Sequence, residues 1–187
     1  MKLPVYLYGH PVLRAENADL TPDYPELDKL IDDMYETMYA SEGVGLAAPQ
    51  IGRNIRLVVI DADPVGDNFE ECKGVKLTFI NPKVTVLDGD KVSRAEGCLS
   101  LPDLSENVSR VEHVRVDWLD RDFKPVSREF SGFLARIIQH ECDHLSGTLD
   151  IDHISPIRKQ LIRNKLQNII TGRIRPDYPA KFAPRKR

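Results

Sequence analysis

The segment Gln139-His140-Glu141-Cys142-Asp143-His144 constrains the fold of this chain more than any other, because its chemistry works only on a helix. One turn apart on a helix, His140 and His144 share a face, where two ring nitrogens can converge on one ion. Glu141 is rotated off that face, too far to bind the ion and near enough to reach a water on it. The flanks agree with a helix: Ser131-Gly132 can cap its start, Gly147 can end it, and Phe133, Ile137, His140 and His144 form one stripe. An apolar stripe leading into two histidines predicts that they face the interior, where a dry wall strengthens a metal's field. Such a stripe is ordinarily plain core, and Phe133 and Ile137 carry that reading as well.

A catalytic zinc-type centre takes three protein ligands and keeps one position open. No glutamate follows Glu141, but Asp150 completes the string His-Glu-x-x-His-x-x-Gly-x-x-Asp used by some proteases, while His153 is out of register. Upstream, Glu96-Gly97-Cys98-Leu99-Ser100 offers a thiolate just after an expected strand at 91–94. With three cysteines and no secretory leader, a structural disulfide is not expected and a thiolate ligand is chemically reasonable. Cys72 falls in a polar loop without a partner histidine, and Cys142, on the far side of the helix, reads as packed core. Spacing alone leaves Cys98 open between a ligand and a small buried residue.

A third segment, Gly43-Val44-Gly45-Leu46-Ala47-Ala48-Pro49-Gln50, leaves a helix through glycines and runs on through small residues that let backbone approach a ligand. Gly-x-Gly alone is weak. Followed in order by Glu-Gly-Cys-Leu-Ser and Gln-His-Glu-x-x-His, it resembles the three signature motifs of the peptide deformylases. The resemblance extends from Tyr8-Gly9-His10-Pro11-Val12-Leu13-Arg14 to about Asp152. It implies an α+β fold, with antiparallel strands packed around a central helix carrying the His-Glu-x-x-His motif and a further helix at the C-terminus. It also implies one divalent ion held by Cys98, His140 and His144: Fe2+, with Zn2+, Ni2+ or Co2+ accepted. Ligand softness by itself reads the same donors as a zinc site.

The substrate implied is the N-formylmethionyl end of a new polypeptide, from which water releases formate. Glu141 would take the proton of the attacking water and pass it to the departing amine. The resemblance assigns the donors to the developing oxyanion to the Leu99 backbone N–H and the Gln50 side-chain amide; from the residues alone, Gln50 reads as a brace for its loop. Gly45 would hydrogen-bond the peptide backbone, and Val44, Phe133 and Ile137 are expected to wall the methionine side chain. Glu96 would pair with Arg110 to hold the cysteine loop. Ser105 stands where many bacterial members carry Arg, and Arg136 where they carry an apolar residue. Both departures bear on recognition beyond methionine.

The chain of 187 residues, 41% hydrophobic and 29% charged, fits a single domain with a sizeable core. No apolar run is long enough to span a membrane and Pro4 interrupts any leader-like stretch, so the expectation is a cytoplasmic protein with no membrane partner. Leu27, Leu30, Ile31, Met34 and Met38 predict a helix over 25–40. Strands are expected at 57–60, 77–80 and 84–87, with Asp88-Gly89 closing a hairpin, then along Val114, Val116 and Trp118, and at 126–130 after a turn at 120–124. The loop 63–74 is polar and has no interpretable pattern.

From Ser155 onward ten Lys or Arg accompany one acid, Asp177. Ser155-Pro156 can start a helix running to Gly172, so the expected organisation is a catalytic domain over 1–172 and a basic tail over 173–187 with no core of its own. By resemblance to bacterial members, Arg158, Lys159, Arg163 and Lys165 could bring the enzyme to the ribosome; a solvated face balancing an acidic body is the alternative. Two rival functions remain at this level. One is an endopeptidase built on His140, His144 and Asp150; the other is a non-enzymatic basic-tailed binding protein, which leaves Glu141 without a task.

Overall fold

The computed structural model describes residues 1–185. In chain order its first half comprises β1 (Val5–Tyr6), α1 (Leu27–Ala40), β2 (Gly45–Ala47), β3 (Leu57–Asp61), β4 (Lys76–Val86) and β5 (Lys91–Cys98). The second half comprises β6 (Leu101–Val111), β7 (His113–Leu119), β8 (Pro125–Ser131), α2 (Gly132–His144), α3 (Pro156–Leu161), α4 (Arg163–Ile170) and β9 (Ala180–Lys181). Five strands form an antiparallel sheet in the order β2-β3-β4-β7-β8. β5 and β6 form a separate antiparallel ribbon, and β1 pairs with β9 in parallel.

The sheet is covered on both faces, which explains the unbroken apolar run in β3. Val58 and Ile60 join Leu134, Ala135, Ile137 and Ile138 of α2 in one core. Leu57 and Val59 point the other way, into a second core with Ile31, Met34 and Met38 of α1. Each fully buried Ile or Val contributes about 1.5–3 kcal/mol, so this strand fixes the two helices to opposite sides of the sheet. A third core gathers Leu7, Leu101, Leu149, Ile151, Ile154, Ile162 and Ile169.

Several expectations are corrected by tertiary context. Asp88-Gly89 closes no hairpin: both edges of β4 are already occupied, by β3 and β7, so the chain turns away and β5 pairs with β6 instead. The strands expected at 77–80 and 84–87 are one strand with a register irregularity between Ile80 and Lys83, where Asn81 adopts φ 51°. The Asn81 amide compensates by pairing with the backbone of Leu20, at 2.7 and 3.0 Å. The polar loop 63–74 folds into two 3-10 turns that pack Val65 and Phe69 onto the first core, and Cys72 is fully buried there. Cys142 is half-buried against the same core.

The C-terminal helix is two helices, broken at Ile162, whose side chain turns inward. Beyond Gly172 the chain packs Ile174, Tyr178, Ala180 and Phe182 against the third core. Lys186 and Arg187, the end of the expected tail, lie outside the described residues. Among the described residues, no helix is long and apolar enough to cross a membrane.

Candidate metal centre and substrate cleft

The helix carrying the two histidines is set in place from outside. Ser131 precedes α2 but makes no side-chain cap; Glu71, from the loop at 63–74, accepts the Phe133 N–H at 2.6 Å instead. A carboxylate at a helix N-terminus satisfies an orphan donor and meets the positive end of the dipole. Gly132 permits this approach, with φ 63° and no Cβ to strike the Glu71 carboxylate.

At the other end of α2, His140 and His144 meet Cys98 at the end of β5. One donor atom from each lies within 4.8 Å of the others, with Cys98 Sγ 3.5 Å from His144 Nε2. His140 Nδ1 donates to Glu96 Oε1 at 2.9 Å, which leaves Nε2 for an ion. A carboxylate behind a ligating histidine fixes its tautomer and orientation. Burial works against a charged His140, but Cys98 and Glu96 outweigh it and raise its pKa. Glu96 is itself over-committed: Arg110 reaches it at 2.7 and 3.0 Å and Arg136 at 2.6 Å. Burial would raise the Glu96 pKa, yet hydrogen bonds from His140 and Arg110 hold it at about 2.

A second cluster, Glu96, His140 and Asp150, is equally tight, but its carboxylates have other tasks. Glu96 faces two guanidiniums, and Asp150 accepts the Ile151 N–H at 2.8 Å. His153 is held away from the centre by Asp143 at 2.8 Å. One thiol and two imidazoles therefore make the better donor set for a divalent transition ion. Two buried polar atoms beside it, Glu141 Oε2 and His144 Nδ1, have no hydrogen-bond partner among the described residues. Burial pushes the Glu141 pKa up to about 7 and the His144 pKa well down.

Gly45 lies so close that a Cβ there would stand 2.6 Å from Glu141 Cγ and Oε1. Only glycine lets β2 pass this carboxyl. Gln50 is both brace and donor: its Oε1 accepts the Ala47 N–H at 3.0 Å, while Nε2 donates to Ser100 Oγ at 3.2 Å and stands 3.6 Å from Cys98 Sγ. A cleft of about 730 Å³ opens over these groups, lined by Val44, Gly45, Gln50, Cys98, Leu99, His140 and Glu141. Phe133 and Ile137, expected in the methionine wall, do not line it. Phe133 stacks on Phe69 at 4.1 Å, and Ile137 is buried in the first core.

Residues 2–160 match the polypeptide deformylase family model. The chain belongs to this family. It is 46% identical to the peptide deformylase of Flavobacterium psychrophilum over 194 aligned positions, covering all of both chains. It is 42% identical to that of Salinibacter ruber, covering 96% of this chain and 94% of the relative. Among solved structures, Arabidopsis thaliana peptide deformylase 1B superposes with a TM-score of 0.81 at 34% identity, covering 91% of this chain and 92% of that one. The Legionella pneumophila enzyme superposes with a TM-score of 0.80 at 37% identity, covering 92% and 98%. The α+β fold and the enzyme class follow, and the three-donor cluster suits a metalloenzyme family.

Sequence reasoning missed Glu71, Ser100 and the contribution of Arg136. Arg136 had a visible signal, an arginine on the apolar side of α2, but its partner Glu96 lies forty residues away.

Proposed function

We propose that this chain removes the formyl group from N-terminal formylmethionine of new polypeptides, working in the cytoplasm. The observation that supports this best is the convergence of Cys98, His140 and His144 beside the buried, unpartnered carboxyl of Glu141. Cys98, His140 and His144 would hold one Fe2+, with Zn2+, Ni2+ or Co2+ as substitutes. A bound ion would supply Lewis acidity toward water and the formyl carbonyl.

Glu141, with a pKa of about 7, can both accept and return a proton near neutrality. It takes one proton from the water that adds to the formyl carbon. It delivers that proton to the amine as the C–N bond breaks, so formate and a free amino terminus leave. The Gln50 amide and the Leu99 N–H donate to the carbonyl oxygen as its charge grows. Gly45 offers backbone to the peptide, and Val44 with Leu99 forms the apolar wall for methionine. The basic face of α3 and α4 would bring the enzyme to the ribosome.

Anaerobically prepared protein, with its metal content measured, should release formate from a formyl-Met peptide and leave an internally quenched peptide uncut. Cys98→Ala should lose metal and turnover together, because two remaining ligands cannot define a geometry. Asp150→Ala should keep both. The reverse pattern, with cleavage of the quenched peptide, would establish an endopeptidase.

A further inference from the structure

One wall of the cleft comes from outside the family match. The match ends at residue 160, yet Arg175, Pro176, Asp177 and Tyr178 line the cleft together with Cys98, Leu99 and Glu141. This strap is fastened at three points. Arg175 Nε donates to Gly172 O at 3.0 Å, where α4 ends in a left-handed glycine. The Tyr178 hydroxyl donates to Leu99 O at 2.6 Å. Beyond it, β9 pairs with β1, with Val5 N–H to Pro179 O at 2.9 Å and Leu7 N–H to Lys181 O at 2.8 Å.

The cleft is asymmetric. His140, Glu141 and Gln50 are buried at one end, whereas Glu42, Asp103, Ser105, Arg175 and Asp177 are exposed at the other. A peptide whose formyl group reaches the buried end must leave past the exposed one. Its residues after methionine therefore meet the strap. Ser105 carries no cation, and Arg175, with its guanidinium, is the one Lys or Arg among the described residues that line this cleft. Among the described residues that guanidinium has no acidic partner; it rests 5.6 Å from the Phe182 ring, and its terminal N–H groups make no hydrogen bond. Glu42, Asp103 and Asp177 line the same cleft, also without ion pairs among the described residues. Such a rim repels a free carboxylate and favours neutral acceptors.

We infer that the strap is a substrate-binding wall for the residues that follow methionine, with Arg175 donating to their backbone carbonyl oxygens and Tyr178 as the positioning residue that locks the strap to Leu99. Carbonyl recognition reads no side chain, which suits an enzyme that must accept every new chain. The inference rests on the deformylase reading above.

The test compares kcat/KM for formylmethioninamide with that for formyl-Met-Ala-Ala-Ala amide. In the wild-type protein the longer substrate should be favoured. Arg175→Ala should shrink that preference about tenfold, as loss of one charge-assisted hydrogen bond would, acting on KM. Tyr178→Phe keeps the ring and should shrink the same preference, and the double variant should lose no more than Arg175→Ala alone. A wild-type preference absent from the start, or one unchanged in a folded Arg175→Ala protein, overturns the inference. Failure of the wild-type protein to release formate from either substrate would instead remove the deformylase reading.

Discussion

Glu141 and Arg136 lie on one helix, the first in the role proposed above for the chemistry and the second as its support. If Glu141 moves the proton, Glu141→Ala should retain stoichiometric metal and lose about 10²–10⁴-fold in turnover, read by metal analysis beside formate release. Metal loss equal to that of a ligand variant would make it a ligand instead. Arg136, four residues before His140, is only 1% exposed and bonds Glu96, Val92 O and Val108 O at 2.6–2.8 Å, with Glu112 Oε2 at 3.3 Å. Arg136→Leu would remove a cation from between two buried carboxylates. Taking away one partner of a buried pair costs about 3–5 kcal/mol, so a large fall in the urea midpoint is expected; a change under about 1 kcal/mol would show that Arg110 and Arg94 suffice. The paired histidines were legible in the sequence because a four-residue spacing is a local property. Arg136 was not, because its meaning depends on Glu96 on β5 and Glu112 between β6 and β7, which meet it only in the folded chain.

At the scale of elements, legibility followed the regularity of burial. β3 and β7 read directly, since every inward position is apolar: Val58 and Ile60 in one, Val114, Val116 and Trp118 in the other. β6 was invisible as a strand because two of its inward positions are Glu106 and Arg110, buried by ion pairs with Arg158 and with Glu96 and Asp143. Hydropathy alternation cannot register a charge that is satisfied inside. The start of α2 was legible in place but not in mechanism, for the cap comes from Glu71, sixty-two residues from Phe133. Glu71→Ala should therefore cost about 0.5–2 kcal/mol, the usual worth of a missing cap. Ser131→Ala should cost much less in the same denaturation series. Equal effects would return the cap to Ser131.

For the whole molecule, the question is what the charge separation does. Ten Lys or Arg follow Ser155 in a chain whose net charge is −3, yet not all of them are free to meet a partner. Arg158 clamps α3 to β6 through the buried Glu106, at 2.6 and 3.0 Å, and Lys165 reaches Asp103 O at 3.4 Å. Lys159 and Arg163 are among those with no acidic partner among the described residues, so they are free to meet a phosphate surface. Deleting the C-terminal segment would be a poor test of ribosome docking, because it would also strip Ile162, Ile169 and Tyr178 from the third core. Lys159→Glu with Arg163→Glu leaves that packing intact. The double variant should weaken cosedimentation with ribosomes and lower the slope of log affinity against log salt by about one for each phosphate that is no longer neutralised. Turnover of a short formyl-Met peptide should be unaltered, since both residues lie outside the cleft. Cosedimentation that persists with the wild-type salt slope would assign α3 and α4 to docking against the body alone, with their free cations serving only to offset its acids.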